Sequence, residues 1–444
     1  MTSFKIIGGT PLIGSVRLGG AKNASFKLMI AAAMGEGESR LLNMSKIGDV
    51  DVTFKTLEAI GIKCSRPGDN TVYITGGELS THIIPKFTGE KTRATTLFAG
   101  LLLNKTHRAF IPLPGGCSLG DRFIDRHIDG LAAMGAKIEY TTEGMEMTAP
   151  DGLVGTTYRF AKKSHTGTEA LIIAAVLAKG KTILENAAQE PEIDDMITFF
   201  NSMGGQVKRT GDAIEIIGVD KLHGATHVVM SDRNEAVSYA CMAIATKGDI
   251  IVEGAKPEFL TAFLQKLDEV GGKYEIAPYG IRFYYDQPLV ATGITTEPEP
   301  GFMTDWQPLW TTMMTSAKGV SNVIELVHNN RLAFTKELNI MGANIELSDP
   351  VLENPDDSYQ FIWPERIHNF HAAKITGPTP LHGVDMTVPD LRGGATLVMA
   401  AIMATGTSTI DNVELIDRGY ERFDERLRSL SANIERIWFL TGDI

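Results

Sequence analysis

The feature that most constrains this chain is an internal repeat. Six segments share one form, the end of an amphipathic helix, a tight turn and then a β-like run. They are Leu57–Cys64, Leu131–Ile138, Phe200–Val207, Leu267–Tyr274, Leu338–Ile345 and Leu427–Ile434. The turn residue is Gly61, Gly135, Gly204, Gly271 and Gly342 in the first five and Ser431 in the sixth. A glycine there suits a helix C-cap in the left-handed conformation, from which the serine departs. The spacing is roughly 70 residues, stretched in the last interval, the period expected of a repeated supersecondary unit.

A second signature interleaves with the first. Ala- or Met-rich helical runs end in a small or polar turn and lead into β-branched residues. Examples are Ala31–Met34, Leu101–Asn104, Ala174–Ala178, Met242–Ala245, Met313–Met314 and Met399–Met403. These runs are apolar almost all round, so they are expected to be buried helices. Each unit then holds two helices and several strands. Six units in two groups of three, inner helices packed and sheets outside, make two α/β domains of similar build. A cleft between them is the default ligand site. The stretch 350–373, with Asn354-Pro355 and Trp363-Pro364, breaks the pattern and reads as a longer loop or hairpin insertion.

At 444 residues the chain exceeds one ordinary core, in keeping with two domains. Apolar residues make up 43% and charged residues 22%, a soluble globular balance without an apolar run long enough for a transmembrane helix. The opening residues, Met1 to Lys5, carry no charged-then-apolar signal pattern. Cys64, Cys117 and Cys241 are too few and scattered for a disulfide framework, which points to a reducing, cytoplasmic setting. A formal net charge of −12 argues against a broad nucleic-acid or membrane surface, though not against a small anion held by local Arg and Lys. The histidines and cysteines show no metal-ligand spacing.

The residues able to carry chemistry gather in a few turns. Leu113–Arg122 packs three glycines and a proline around Cys117, so it must be a loop. It reads equally as a reactive thiol near positive charge or as a turn with a small buried cysteine. Gly19–Ala24 opens an apolar helix with Lys22 and Asn23, where helix-end N–H groups and a lysine suit an anion; an ordinary turn with a solvated lysine is the plainer reading. Arg93, Arg122, Arg331, Arg392 and Arg418 each lie close to a turn or helix start. Guanidinium forks suit phosphate and carboxylate, but each could equally serve a neighbouring acid. Asp390-Leu391-Arg392 precedes two glycines that open a helix, and Asp417–Arg422 is a similar charged turn that salt bridges could account for. Asp305 is either an N-cap or a general base near a bound hydroxyl. The segment Arg122–His127 is either ligand-lining or one face of an amphipathic helix.

Taken together, these pieces resemble the UDP-N-acetylglucosamine 1-carboxyvinyltransferases, a branch of the enolpyruvyl transferases. The likeness covers nearly the whole length. It is carried by Gly20–Ala24, Leu113–Cys117, Glu185–Ile193, Thr304-Asp305, Asn330-Arg331, Asp390–Arg392 and Ile416–Arg422. The resemblance implies a two-domain inside-out α/β barrel, with six βαβαββ-type repeats, three per domain. One domain would span 22–230. The other would combine 1–21 with 231–444, and the active site would lie in the cleft. It implies transfer of the enolpyruvyl group of phosphoenolpyruvate to the sugar 3′-hydroxyl with release of phosphate, the step that starts peptidoglycan precursor synthesis. It implies no metal or organic cofactor, and no nucleic-acid or membrane partner.

Residue by residue, Cys117 matches the family's active-site thiol, the target of fosfomycin. Asp305 matches the base on the hydroxyl. Lys22, Arg392 and Asp390 match groups beside the reacting centre. Lys22, Asn23, Arg122, Arg331, Arg392 and Arg418 match phosphoenolpyruvate contacts. Asn23, Arg93, Arg122, Phe123, Ile124, Asp125, Arg126, Lys163, Ser164, His165, Thr166, Asp305 and Val327 match the nucleotide-sugar site. Three positions depart from the family: Phe123 stands where Pro is usual, Arg126 where an apolar residue is usual and His165 where Ser is common. Two other readings stand beside this one. The first is the related shikimate 3-phosphate enolpyruvyl transferase, whose family opens with Gly-Ser-Lys-Ser and lacks the Gly-Gly-Cys loop. The second is a nucleotide-sugar-binding paralogue without turnover.

Overall fold

The computed structural model describes residues 2–68, 70–89, 93–112, 125–361 and 369–438, with backbone alone at 93–94. The chain divides into two compact bodies. One is 1–18 with 231–444, and the other is the described part of 19–230.

In the 19–230 body the apolar helical runs become three buried helices, Lys22–Met34, Phe98–Thr106 and His165–Ala175. Sheets form from the β-branched stretches that follow them. In one, Thr226–Val228 runs parallel to Gly37–Leu42, which pairs antiparallel with Val72–Gly76 and through it with Lys63–Ser65. A second repeats this with Thr157–Arg159, Lys181–Glu185, Ala213–Ile217 and Gln206–Thr210. The third, Arg108–Pro112, Gly144–Thr148 and Lys137–Tyr140, has a single parallel bridge, Ile83 to Phe110, where the others have a fourth strand.

The 231–444 body repeats the plan with Arg233–Ala245, Gln307–Met314 and Leu391–Met403 as its buried helices. Its sheets have the same alternation of one parallel and two antiparallel pairs. The parallel pairs are Ile13–Arg17 with Asp249–Glu253, Ile294–Thr295 with Gly319–Ile324, and Asp385–Thr387 with Thr407–Asp411. The N-terminal strand Thr2–Ile7 sits between Thr407–Asp411 and Asn433–Trp438 and is antiparallel to both, which explains why the first residues belong with the last. Each body has its own continuous apolar core. The stretch at 350–373 follows the strand Ile345–Ser348, carries the short helix Pro355–Ser358 and ends within Ala372–Gly377, the antiparallel partner of Ile345–Ser348.

The repeated turn has one backbone conformation throughout. Gly61, Gly135, Gly204, Gly271 and Gly342 have φ between 83° and 105°, and Ser431 reaches 74°. A left-handed residue costs little as glycine and more as serine, so the sixth turn is held by its surroundings rather than by its residue type. Two turns are fastened further. Asn201 donates to the carbonyl of Val207 and accepts from its N–H, and Asn339 does the same with Ile345.

Candidate functional site

Chemistry-bearing residues gather around one carboxylate in the 231–444 body and at helix starts in the 19–230 body. In the 231–444 body the centre is Asp305. The N-cap of Gln307–Met314 falls on Trp306, and no side chain caps that helix, so the N-cap role open to Asp305 is not realised. Instead its carboxylate accepts from two guanidiniums, Arg331 Nη2 on Oδ1 at 2.8 Å and Arg392 Nη2 on Oδ2 at 3.1 Å. Both arginines are buried, at 4% exposure each. Asp390 caps Leu391–Met403, its Oδ1 accepting from the N–H groups of Arg392 and Gly393, and thereby fixes the helix end that carries Arg392.

Behind these groups lies a buried support. Arg392 Nη1 donates to the Tyr420 hydroxyl at 3.1 Å, and that hydroxyl lies 2.8 Å from Ser238 Oγ. Ser238 gives its own proton to the carbonyl of Asn234, so Tyr420 is the donor to Ser238. Burial works against the charge on Arg392, but Asp305, Tyr420 and Asp232 outweigh it and raise its pKa. Arg331 Nε donates to Thr304 Oγ1, and Thr304 donates in turn to Glu325. Glu325 is fully buried and also accepts from Thr296 and from the N–H groups of Val327 and His328. Burial raises its pKa, with Arg331 and those hydrogen bonds opposing. Arg331 Nη1 is buried without a hydrogen-bond partner among the described residues, which leaves a fixed donor beside Asp305 for an anionic ligand.

In the 19–230 body Lys22 is the first residue of its helix, and its ammonium lies 3.0 Å from Asp49 Oδ2. No side chain caps that helix and no acid sits in its first turn, so its end N–H groups reinforce the lysine's field. Ser164 caps His165–Ala175 by accepting from the N–H of Gly167. Lys163 donates to Gln189 Oε1 at 3.2 Å, and its carbonyl accepts from Arg126 Nη1 at 3.0 Å. Arg126 lies on the helix Asp125–Ala133, and burial lowers its pKa against the pull of Tyr158 and Asp125. Asp125 and Thr166 are exposed at the starts of their helices. Asn23 follows Lys22 in the first helical turn. Each cluster thus offers cationic groups to an anion, and the Asp305 cluster adds a carboxylate able to take a proton.

The family model described as EPSP synthase (3-phosphoshikimate 1-carboxyvinyltransferase) matches residues 6–427. The UDP-N-acetylglucosamine 1-carboxyvinyltransferase of Protochlamydia amoebophila is 38% identical, with 98% of this chain and 95% of that protein covered. That of Idiomarina loihiensis is 36% identical, over 98% of this chain and 100% of its own. The chain belongs to the enolpyruvyl transferase (EPSP synthase) family. Its fold is the enolpyruvyl transferase fold. The enolpyruvyl transferase NikO from Streptomyces tendae superimposes with a TM-score of 0.85 at 20% identity, over 98% of each chain. EPSP synthase from Acinetobacter baumannii gives 0.72 at 20% identity, over 99% of this chain and 100% of that one.

Measured against the residues that the enolpyruvyl transferase resemblance singled out, the structure joins Asp305, Arg331 and Arg392, with Asp390 as the cap behind Arg392. It also joins Arg126 to the carbonyl of Lys163, which directly precedes the helix cap Ser164. Val327 is held through its N–H to Glu325. Arg418 is half-buried in the turn before Phe423–Ser429, and in the same turn Asp417 pairs with Arg436 and Arg422 with Glu425. Cys117, Arg122, Phe123 and Ile124 lie outside the described residues, as does the Arg93 side chain. Sequence reasoning passed over Glu325, Ser238 and the roles of Thr304 and Tyr420. Their one signal was polar residues inside stretches otherwise patterned for burial. Among the described residues, no helix is long and apolar enough to cross a membrane, and no three His, Cys, Asp or Glu side chains are grouped to hold a metal.

Proposed function

We propose that this chain transfers the enolpyruvyl group of phosphoenolpyruvate to the 3′-hydroxyl of UDP-N-acetylglucosamine, releasing phosphate, in the cytoplasm and in the service of peptidoglycan precursor synthesis. The observation that carries the reading is Asp305 held between Arg331 and Arg392, a carboxylate fixed beside two buried guanidiniums. In this reading Asp305 takes the proton of the sugar hydroxyl as its oxygen attacks C2 of phosphoenolpyruvate. Cys117 supplies the proton to C3. The resulting phosphate ketal then loses a C3 proton and breaks its C2–O bond to release phosphate. Lys22, Asn23, Arg122, Arg331, Arg392 and Arg418 hold the phosphate and carboxylate of phosphoenolpyruvate, where a preorganised cationic site stabilises charge best. Asn23, Arg93, Arg122–Arg126, Lys163–Thr166 and Val327 hold the nucleotide sugar, and the reaction calls on no metal or organic cofactor. The reading needs the 22–230 domain and the domain of 1–21 with 231–444 to act on one substrate pair.

We also infer six βαβαββ-type repeats, three per domain, in an inside-out barrel. The shared strand alternation and the repeated left-handed turn support this.

The test is phosphate release from phosphoenolpyruvate with UDP-N-acetylglucosamine or shikimate 3-phosphate as acceptor. Release with the sugar nucleotide alone is expected. Release only with shikimate 3-phosphate would move the chain to the other branch of the family, and release with neither would remove the catalytic reading.

A further inference from the structure

The helices Lys22–Met34 and His165–Ala175 are buried along most of their length, yet each carries an ionised residue inside the body. Lys27 is 2% exposed and Glu169 is fully buried, and the two form a direct ion pair. His165 completes the group. Its Nε2 lies 3.1 Å from Glu169 Oε1 and 3.3 Å from the Lys27 ammonium, and its Nδ1 faces Glu190 Oε1 at 4.0 Å. Glu190 is 7% exposed, and its Oε2 is buried without a hydrogen-bond partner among the described residues.

Removing two ions from water costs several kcal/mol each, and apolar side chains of similar size hold helices together as well or better. Stability alone therefore gives this pair little reason to exist. Its location gives another. Lys27 lies just over one helical turn beyond Lys22 and Asn23, and Glu169 lies one turn beyond His165. Both charges sit directly behind helix ends assigned above to the substrates. The turn they support is also tied to the chain ahead of Pro191–Ser202, through Lys163 to Gln189 and His165 to Glu190.

We propose that Lys27 and Glu169 are positioning residues: their buried ion pair fixes the Lys163–Thr166 turn relative to Lys22 and Asn23, and so sets the affinity for the nucleotide sugar without touching it. The proposal rests on the reaction assigned above. It makes a specific departure of this chain, His165 in the nucleotide-binding turn, one part of a larger device whose other members are remote in sequence.

The test uses the full chain and the paired substitution Lys27→Met with Glu169→Leu, which removes both charges and keeps apolar bulk. Its urea midpoint is expected to match that of the unsubstituted protein. Its dissociation constant for UDP-N-acetylglucosamine, read by calorimetry, is expected to rise by about tenfold, the scale of a small misplacement of binding groups. In steady state the KM for the sugar nucleotide should rise while that for phosphoenolpyruvate stays within about twofold, a split that general destabilisation does not produce. Unchanged affinity in the paired variant would overturn the proposal. Should that variant fail to fold, the near-isosteric Glu169→Gln is read in its place: weakened sugar-nucleotide binding supports the proposal and unchanged binding overturns it. Absence of binding by the unsubstituted protein would instead remove the assigned reaction, and the proposal with it, in an arm of its own.

Discussion

The two bodies solve one problem with different cations. Around Asp305 the charges come from Arg331 and Arg392, whose guanidiniums stay protonated at any ordinary pH. Around Glu169 they come from Lys27 and His165, and the second of these is an imidazole whose pKa the neighbouring carboxylates raise. The Asp305 group is tied to neutral hydroxyls, Thr304 and Tyr420, which share the load through directed hydrogen bonds. The Glu169 group is a quartet of ionisable side chains whose charges cancel only while the imidazole is protonated. The cations of the first arrangement keep their charge at any ordinary pH. The second keeps its balance only over part of the pH range.

Three substitutions or conditions sharpen that contrast. The largest effect is expected from Lys27→Met alone. It leaves Glu169 buried beside a single titratable partner and should cost about 3–5 kcal/mol by urea unfolding, as removal of one member of a buried pair does. A cost below about 1 kcal/mol would mean that Lys27 is not balancing that carboxylate. Next comes Tyr420→Phe in the Asp305 group. It removes the acceptor of Arg392 Nη1 and the donor to Ser238, and about 1–2 kcal/mol is expected. Because Ser238 keeps its bond to Asn234, a much larger loss would show that the tyrosine does more than orient the arginine.

The smallest effect is the pH response. Burial disfavours protonation of His165, but Glu169 and Glu190 outweigh burial and Lys27, so its pKa is raised. A raised imidazole contributes stability that is fully present below its unfolded pKa of about 6.5. That stability is lost as pH climbs through the folded value. The urea midpoint should therefore fall as pH climbs above the ordinary imidazole range, and His165→Gln should flatten that limb. A fall on the acid side of the histidine range that disappears in His165→Gln would reverse the sign and contradict the assignment.

Much of the architecture was legible because it repeats. A glycine after each of five helices announced a turn that the backbone adopts, and the Ala- and Met-rich runs became the buried helices of both bodies. Periodicity reports which positions are buried, however, and not what a buried polar group touches. Asp305 shows the gap. Its place before a helix suggested an N-cap, whereas the cap position falls one residue later and two distant arginines hold the carboxylate. Glu325 and Ser238 were invisible for the same reason, since their partners are set by how strands and helices pack. Lys27 and Glu169 left a faint trace, opposite charges within runs that are apolar almost all round. Their sequence separation is too large for any local rule to pair them.

The most direct measurement is the turnover number of Asp305→Asn with phosphoenolpyruvate and UDP-N-acetylglucosamine, both saturating. The substitution keeps size and hydrogen-bonding reach but removes the proton acceptor, so the turnover number should fall about 10²- to 10⁴-fold. Turnover within about threefold of the unsubstituted enzyme would show that the carboxylate between Arg331 and Arg392 is not the base, and the reacting centre would have to be sought elsewhere.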